Sequence, residues 1–183
     1  MIGPPSVIDI TVRPCQEQDV ASVTRIYAHH VLHGLASFEV DPPSESEMRQ
    51  RRRDVLGKDF PYLVAEYAEE IVGYAYASPY RLRPAYRYTA ENSVYLHPAW
   101  TGKGIGRKLL SALLSECEAR GLRQIVAIIG DSANSASIGL HRRLGFVMVG
   151  TIRSAGYKFG RWVDTVLMQR ALGSGDSTHP EGV

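Results

Sequence analysis

A glycine-rich segment between an apolar run and a helical pattern constrains this chain most. Its residues are Gly102, Lys103, Gly104, Ile105, Gly106 and Arg107. The run Ser93 to Leu96 precedes it, and leucines follow it at helical spacing. Glycine permits positive φ and leaves room where a Cβ would block a ligand. Because the first N–H groups of a helix lack partners and that end of the helix is positive, the segment predicts a phosphate-binding turn. An ordinary tight loop is the alternative.

The spacing of the glycines excludes two common phosphate motifs. A P-loop requires Gly-x-x-x-x-Gly-Lys-Ser/Thr, which the sequence lacks. A dinucleotide fingerprint requires Gly-x-Gly-x-x-Gly, whereas here the glycines alternate with single residues. A second motif follows an apolar run at Gln124 to Ile129. It consists of Asn134, Ser137, Leu140, His141, Gly145 and Phe146. Two ordered motifs are more specific than either one alone.

The two motifs resemble those of the GNAT acetyltransferases, in the same order and at a similar separation. That family has Gln/Arg-x-x-Gly-x-Gly/Ala at the pyrophosphate, and Thr101 stands here in place of the first residue. From about residue 10 to residue 172 the chain is similar to phosphinothricin and methionine sulfoximine N-acetyltransferases. The segments that carry this similarity are Phe60 to Glu66, Thr89 to Tyr95 and Gly156 to Trp162. Val163 stands where several phosphinothricin enzymes have His, which favours the methionine sulfoximine branch.

The resemblance implies one α/β GNAT domain over residues 7–172, with a mixed, strongly twisted sheet and helices on both faces. Residues 1–6 and 173–183 are rich in Gly, Pro, Ser and charge, and we predict disordered tails there. The implied activity is direct transfer of an acetyl group from acetyl-CoA to the amine of a small amino acid analogue, namely phosphinothricin, methionine sulfoximine or methionine sulfone. Acetylation of a peptide N-terminus is the rival activity. A non-catalytic acyl-CoA-binding regulatory domain is the rival class.

The resemblance assigns three groups of residues to acetyl-CoA. In the GNAT fold the strand before the glycine turn separates from its neighbour, and its backbone receives the acetyl group and the pantetheine arm. In this chain that strand contains Val94, Tyr95 and Leu96. The glycine turn is expected to hold the pyrophosphate, and Asn134 and Ser137 complete the expected acetyl-CoA site.

Glu91 is the candidate general base, since it lies in the strand that leads to the acetyl group. An α-amino group is largely protonated at neutral pH, and burial would raise the pKa of a glutamate toward the value that a base needs. The alternative is a strand-edge carboxylate that faces solvent. His141 stands where the family often has a Tyr that protonates the departing thiolate. Its imidazole either donates that proton or only positions the pantetheine sulfur.

The resemblance assigns the amine substrate to a loop and to the strand that follows it. The residues are Arg81, Leu82 and Arg83 in the loop and Glu91, Asn92 and Ser93 in the strand. An arginine fork matches a carboxylate or phosphinate, so Arg81 is the candidate for the substrate anion, whereas Arg87 is placed on the surface. Phe38 and Tyr86 are candidates for pocket walls or for ordinary core.

Composition narrows the remaining classes of function. A chain of 183 residues with 44% hydrophobic and 22% charged residues suits one globular domain, and a net charge of +2 offers no general attraction to nucleic acid. The sequence has no membrane-length apolar run and no signal-peptide pattern, so we predict a cytoplasmic protein with no membrane partner. His29, His30 and His33 lack supporting ligands, so no metal site is predicted. The segment Tyr157 to Trp162 is placed near a subunit boundary, and a homodimer is expected.

Local patterns predict strands and helices along the chain. Ser44 with Glu47 three residues later predicts a helix start, and Gly121 predicts the end of the helix after the glycine turn. The apolar run Ile125 to Ile129 predicts a strand buried on both faces. The other predicted elements are a strand at Ile8 to Arg13, a helix at Asp19 to Leu32, a hairpin of Tyr62 to Tyr67 with Ile71 to Ala77, a helix at Ser135 to Leu144, and strands at Phe146 to Ile152 and Thr165 to Gln169.

Overall fold

A computed structural model describes residues 9–180 of the chain. The predicted tail at residues 1–6 lies outside the described residues, as do residues 181–183. Residues 173–180, predicted to belong to a disordered tail, form turns that contact the domain. Arg123 Nε donates to the Gly175 carbonyl at 2.8 Å, and Arg123 Nη2 donates to the Thr178 hydroxyl at 2.6 Å. One arginine side chain therefore holds this segment to the domain.

The described residues form a seven-stranded sheet. Its strands are β1 (Thr11–Pro14), β2 (Tyr62–Tyr67), β3 (Glu70–Pro79), β4 (Thr89–Leu96), β5 (Gln124–Gly130), β6 (Val147–Lys158) and β7 (Arg161–Ala171). Their spatial order is β1-β2-β3-β4-β5-β7-β6. Only β4 and β5 pair in parallel among the described strands, and the other neighbours are antiparallel. The predicted mixed sheet and the α/β fold class are therefore confirmed.

Within residues 9–180, four α-helices accompany the strands. They are α1 (Val20–His33), α2 (Glu45–Gly57), α3 (Ile105–Ala119) and α4 (Ser135–Arg143). α2 begins at the predicted cap, because the Ser44 hydroxyl accepts a hydrogen bond from the Glu47 N–H at 3.2 Å. Gly121 follows α3 at φ 76°, the left-handed conformation that commonly ends a helix. Both helix boundaries predicted from capping residues are confirmed.

Each face of the sheet has its own hydrophobic core. Alternate residues of a strand point to opposite faces, so Leu63 and Ala65 join one core while Tyr62 and Val64 join the other. The core of Leu63 is covered by α3, whose Leu113 is fully buried, and the core of Tyr62 is covered by α1 and α2. Helices therefore lie on both faces, as predicted. Within residues 9–180, none of the helices is long and apolar enough to cross a bilayer.

The strands β4 and β5 pair along only part of their length. Their register begins at Thr89 opposite Gln124 and ends at Asn92 opposite Ala127, although both strands continue beyond these residues. Past this point the strands separate and the sheet opens. Ile128 lies on the open stretch and is 38% exposed, so the prediction of a strand buried on both faces is wrong at this residue. The cause is the missing neighbour, because β4 no longer covers β5 there.

The hairpin of β6 and β7 is longer than predicted and has an irregular register. Ile152 pairs with Thr165 and Gly156 with Val163, so β6 advances four residues where β7 advances two. Such extra residues bend and twist a strand locally. The strand β6 is an edge strand of the sheet, at the end opposite to β1. This hairpin carries a group of exposed apolar side chains, namely Val147, Met148, Val149, Ile152, Tyr157, Phe159 and Trp162.

Candidate active site

Three adjoining cavities lie where β4 and β5 separate. The long cleft has a volume of about 520 Å³, the side pocket about 390 Å³ and the small cavity about 50 Å³. Ala36, Tyr95 and Gly130 line all three. Ligands in the long cleft and in the side pocket would therefore meet beside Tyr95.

The long cleft follows the free stretch of β4. Val94, Tyr95 and Leu96 line it from the strand, and Asn134 and Ser137 line it from the start of α4. Its lining also includes Thr101, the residue before the glycine turn. The structure thus brings two of the three sets of residues expected to hold acetyl-CoA into one cleft. Of the glycine turn, Gly104 and Arg107 line a separate cavity between β1 and α3, and Thr101 is the link to the cleft.

The glycine turn has the geometry of an anion site. Gly102 and Gly104 adopt φ of 74° and 80°, and α3 begins directly afterwards at Ile105. A Cβ at either glycine would meet nothing within 4 Å, so the strained backbone and not crowding requires glycine there. The N–H groups of residues 102–107 bond to no backbone carbonyl within residues 9–180. They remain available to a phosphate, together with the exposed cation of Arg107.

Part of the second motif is occupied in capping α4. The Asn134 side-chain oxygen accepts a hydrogen bond from the Ser137 N–H at 3.1 Å, which makes Asn134 the N-cap. The Asn134 amide nitrogen lies 3.5 Å from the Gly130 carbonyl at the end of β5. Asn134 therefore fixes the start of α4 beside the cleft, and its structural role explains part of its presence in the motif.

His141 is buried and its two ring nitrogens have different partners. Nδ1 lies 2.8 Å from the Ser137 carbonyl, and Nε2 lies 2.9 Å from the Asn92 side-chain nitrogen. A carbonyl only accepts, so Nδ1 carries the proton. Burial lowers the pKa of His141, while its bond to Ser137 opposes that shift. The neutral ring therefore accepts a hydrogen bond from Asn92 at Nε2.

Asn92 links the strand to this histidine and offers a further acceptor. The residue is 5% exposed, and its Oδ1 has no hydrogen-bond partner within residues 9–180. It lines the small cavity together with Ser93 and His141. A buried acceptor without a partner is costly. Oδ1 is therefore available to a donor on a ligand or to a water, for which the small cavity has room.

Glu91 lies on the wall of the side pocket and is half-buried. Burial raises the pKa of its carboxyl group, and the charge of Arg81 lowers that pKa to a smaller extent. A carboxylate with a raised pKa beside a cavity has the character of a general base. The alternative of a strand-edge carboxylate in open solvent does not describe this position.

The substrate residues predicted in the loop before β4 are exposed. Leu82 is 86% exposed, and none of Arg81, Leu82 and Arg83 lines any of the three cavities. The Arg81 guanidinium stacks over the Tyr80 ring at 4.9 Å, and its charge acts on Glu91. Tyr86 packs edge-on against Tyr80 and does not line the side pocket. Arg81 therefore acts on the site through its charge.

The side pocket contains residues that the sequence did not indicate. Ser37 and Glu39 line it from the loop between α1 and α2, next to Phe38, which was a candidate wall residue. Tyr76 from β3 and Thr165 from β7 complete the lining. These residues belong to no local motif, and only Phe38 gave a signal, as an aromatic residue outside the predicted elements.

His30 is engaged with the backbone rather than with a metal-type cluster. Its Nε2 donates to the Leu96 carbonyl at 2.7 Å, and burial lowers the pKa of its ring. No group of three or more His, Cys, Asp or Glu among residues 9–180 is arranged to hold a metal ion. His30 therefore stabilises the end of β4, where it also lines the long cleft.

The chain is similar to known proteins over almost its whole length. Phosphinothricin N-acetyltransferase of Alcaligenes faecalis is 54% identical over 171 residues, which cover 93% of this chain and 87% of that protein. The L-methionine sulfoximine/L-methionine sulfone acetyltransferase of Salmonella typhimurium is 42% identical over 166 residues, or 89% of this chain and 95% of that protein.

A solved structure agrees with the fold. The crystal structure of a GNAT superfamily phosphinothricin acetyltransferase from Sinorhizobium meliloti, in complex with acetyl-CoA, has a TM-score of 0.92 and 48% identity, and the match covers 95% of each chain. The model of the Acetyltransferase (GNAT) family matches residues 25–146, well over half of the chain. This chain therefore belongs to the GNAT family of acetyltransferases.

Proposed function

We propose that this protein transfers the acetyl group of acetyl-CoA directly to the amino group of a small amino acid analogue, such as methionine sulfoximine, methionine sulfone or phosphinothricin. The observation that carries the proposal is the meeting of the long cleft and the side pocket beside Tyr95. Two ligands that enter from these two sides reach one point without a covalent intermediate. The cysteines at 15 and 117 line none of the three cavities, which supports direct transfer.

Acetyl-CoA fits the long cleft and the glycine turn. The N–H groups of residues 102–107 and the cation of Arg107 suit a pyrophosphate. The backbone of residues 93–95, which faces the gap left by β5, suits the amide-containing pantetheine arm and the thioester carbonyl. The Leu96 carbonyl is already occupied by His30, so the free backbone groups lie before Leu96.

Glu91 acts as the general base in this proposal. Its carboxylate takes a proton from the substrate ammonium, directly or through one water, and frees the nitrogen lone pair. The nitrogen then attacks the thioester carbon and forms the new C–N bond. As the C–S bond breaks and the thiolate leaves, the nitrogen gives its second surplus proton to solvent and becomes the amide N–H. Burial raises the pKa of Glu91 and so brings it closer to the pH at which the amine must be deprotonated.

His141 acts as a positioning residue rather than as the proton donor. Its only N–H is directed at the Ser137 carbonyl, and its lowered pKa keeps the ring neutral. The ring also accepts a hydrogen bond from the side chain of Asn92. Asn92 and Ala127 form the last residue pair before β4 and β5 separate. His141 thereby orients Asn92 at the small cavity, and the departing thiolate takes its proton from solvent.

The relatives support the class of substrate. Two of them are named for phosphinothricin or methionine sulfoximine, which carry a second polar tetrahedral group. The charge of Arg81 lowers the pKa of Glu91, so Arg81 is the residue proposed to attract the substrate anion. A side pocket of about 390 Å³ suits a small amino acid better than a peptide chain.

The decisive experiment is a panel of amines with acetyl-CoA, monitored by release of free thiol. We expect turnover with methionine sulfoximine, methionine sulfone and phosphinothricin and weak turnover with peptides. A peptide N-terminus as the best acceptor would reject the substrate class. No thiol release with any amine, despite binding of acetyl-CoA, would favour the regulatory domain.

We also propose that the protein is a homodimer. An exposed outer strand with several large apolar side chains is a surface that another copy can cover, and β6 has this character. Light scattering should give twice the mass of the chain. Trp162→Glu, at a position that is 65% exposed, should give the monomer mass without loss of folding.

We infer that the protein acts in the cytoplasm and that its activity protects the cell from toxic amino acid analogues. Acetylation removes the charge of the amino group, by which an amino acid analogue is recognised. Expression in a sensitive bacterial host should permit growth on methionine sulfoximine, and a Glu91→Gln variant should not. Equal growth with both proteins would reject the inference.

A further inference from the structure

Lys158 is a buried ammonium group outside the machinery described so far. It is the last residue of β6 and is 4% exposed, while its neighbours Tyr157 and Phe159 are 61% and 59% exposed. Lysine is rarely buried unless its charge has partners. Lys158 lines none of the three cavities, so any effect on them passes through the groups that it binds.

Within residues 9–180, the hydrogen-bond partners of Lys158 are two carbonyl groups of one loop, and its Nζ also lies 4.9 Å from the centre of the Phe159 ring. Its Nζ donates to the Gly34 carbonyl at 3.0 Å and to the Ser37 carbonyl at 2.8 Å. Both belong to the loop between α1 and α2, far away in sequence. Burial lowers the pKa of Lys158, and the charge of Glu39 opposes that shift. Hydrogen bonds from a charged donor are the stronger kind.

The same loop forms a wall of the side pocket. Ala36, Ser37, Phe38 and Glu39 all line it, and Ala36 also lines the long cleft. The position of this loop therefore decides how much room an amine substrate has beside Glu91.

Two glycines allow the loop to lie this close to the sheet. A Cβ at Gly130 would lie 2.1 Å from the Leu35 carbonyl oxygen, and a Cβ at Gly156 would lie 2.6 Å from the Phe38 ring. Gly156 and Lys158 are two residues apart on β6, so both face the loop. Leu35 therefore packs on β5 and Phe38 on β6, while Lys158 of β6 binds the loop at both Gly34 and Ser37.

We propose that Lys158 is a specificity-determining positioning residue: its ammonium group holds the loop at residues 34–39 against β6 and thereby sets the shape of the amine side of the site. This inference rests on the proposed function. Gly156 has the same role, because the Phe38 ring occupies the space that a side chain at position 156 would need. The long cleft depends less on Lys158, because its part of the loop has two further supports. Leu35 packs closely over Gly130, and the Gly34 N–H donates to the His30 carbonyl at 3.0 Å.

The test compares Lys158→Met, which keeps the length of the side chain and removes the donor, with Lys58→Met at an exposed lysine after α2. The readout is the ratio of kcat/KM for methionine sulfoximine to that for phosphinothricin. A loss of folded protein lowers both values equally and leaves the ratio unchanged. We expect Lys158→Met to change the ratio roughly tenfold or more, because the free energy of a hydrogen bond from a charged group corresponds to about a tenfold change in an equilibrium constant. The Kd of acetyl-CoA should change less than threefold, and Lys58→Met should alter neither quantity.

Gly156→Ala disturbs the same loop at its contact with Phe38. It provides a second test if Lys158→Met folds poorly. It should shift the ratio in the same way. An unchanged ratio in both variants, with only a lower melting temperature, would overturn the proposal and leave Lys158 a structural residue.

Amide hydrogen exchange at residues 35–39, measured without substrate, separates this inference from the proposed function. Faster exchange in Lys158→Met than in Lys58→Met shows that the ammonium holds the loop, even if the wild-type protein acetylates neither amine. Equal exchange rates would reject the anchor whatever the activity.

Discussion

The acetyl-CoA side and the amine side of this site are built in different ways. The proposed acetyl-CoA side consists of local motifs, a glycine turn and a capped helix start, and the turn offers backbone N–H groups. The amine side is assembled from the loop between α1 and α2 and from the four strands β3, β4, β5 and β7, with side chains such as Phe38, Tyr76 and Thr165. A motif with local geometry is visible in sequence, whereas a pocket made of distant side chains is not. The acetyl-CoA half could therefore be predicted from the sequence, whereas most of the amine half could not.

Glu91→Gln gives the largest expected effect and tests the amine side. The amide keeps the shape of the side chain and removes its basic site, so turnover should fall by roughly two to four orders of magnitude. The binding of acetyl-CoA in a calorimetric titration should stay unchanged. Glu69→Gln, at an exposed turn, is the matched control and should behave as wild type. Near-normal turnover with the same pH profile would leave Glu91 a structural residue.

Gly104→Val tests the acetyl-CoA side. Valine at φ 80° is strained and its side chain obstructs the approach to the free N–H groups, so the KM for acetyl-CoA should rise by roughly one to two orders of magnitude. The KM for the amine should change little. Gly57→Ala, where a Cβ meets nothing within 4 Å, is the control. If cofactor affinity survived Gly104→Val, the pyrophosphate would have to lie elsewhere.

Arg81→Ala tests the amine side through the pH dependence of the reaction rate. Loss of the guanidinium should raise the amine KM roughly tenfold while sparing acetyl-CoA. Because Arg81 lowers the pKa of Glu91, its removal raises that pKa further. The base must be deprotonated to act, so the acidic limb of the pH–rate profile should move to higher pH. Arg87→Ala removes an exposed arginine of the same loop and should leave the limb in place.

Substrate preference is the smallest expected effect and depends on the amine side alone. Val163 cannot supply the hydrogen bond that a histidine would, so kcat/KM should be higher with methionine sulfoximine or sulfone than with phosphinothricin by a few-fold. Free methionine should react poorly, because it lacks the second polar group. Val163→His should reduce the difference between the two substrates. A strong preference of the wild type for phosphinothricin would contradict this prediction.

The sequence predicted the elements that short-range chemistry determines. Ser44 and Gly121 marked helix ends because capping needs only a few neighbouring residues. The exposure of Ile128 escaped prediction because it depends on the separation of β4 from a strand more than thirty positions away. Leu82 shows the converse, since proximity in sequence to Glu91 did not bring it into the pocket.

The partners of His141 and Lys158 escaped prediction for a related reason. Each side chain was visible in the sequence, but the proton position of His141 follows from contacts with Ser137 and Asn92. The sequence placed Lys158 only in a segment near a subunit boundary, whereas the tertiary fold places its ammonium under the loop at residues 34–39. Chemistry that depends on burial and on distant carbonyls requires the folded structure.

The irregular register of β6 limits how the length of this hairpin can vary among related chains. Between Ile152 and Gly156 the strand contains two residues more than β7, an even number that keeps the alternation of side chains in step. A single insertion there would exchange the faces of Tyr157 and Lys158. The aromatic ring would then point inward and the ammonium outward. Exposed hairpins ordinarily accept insertions of any size, but we expect this one to accept them only in pairs.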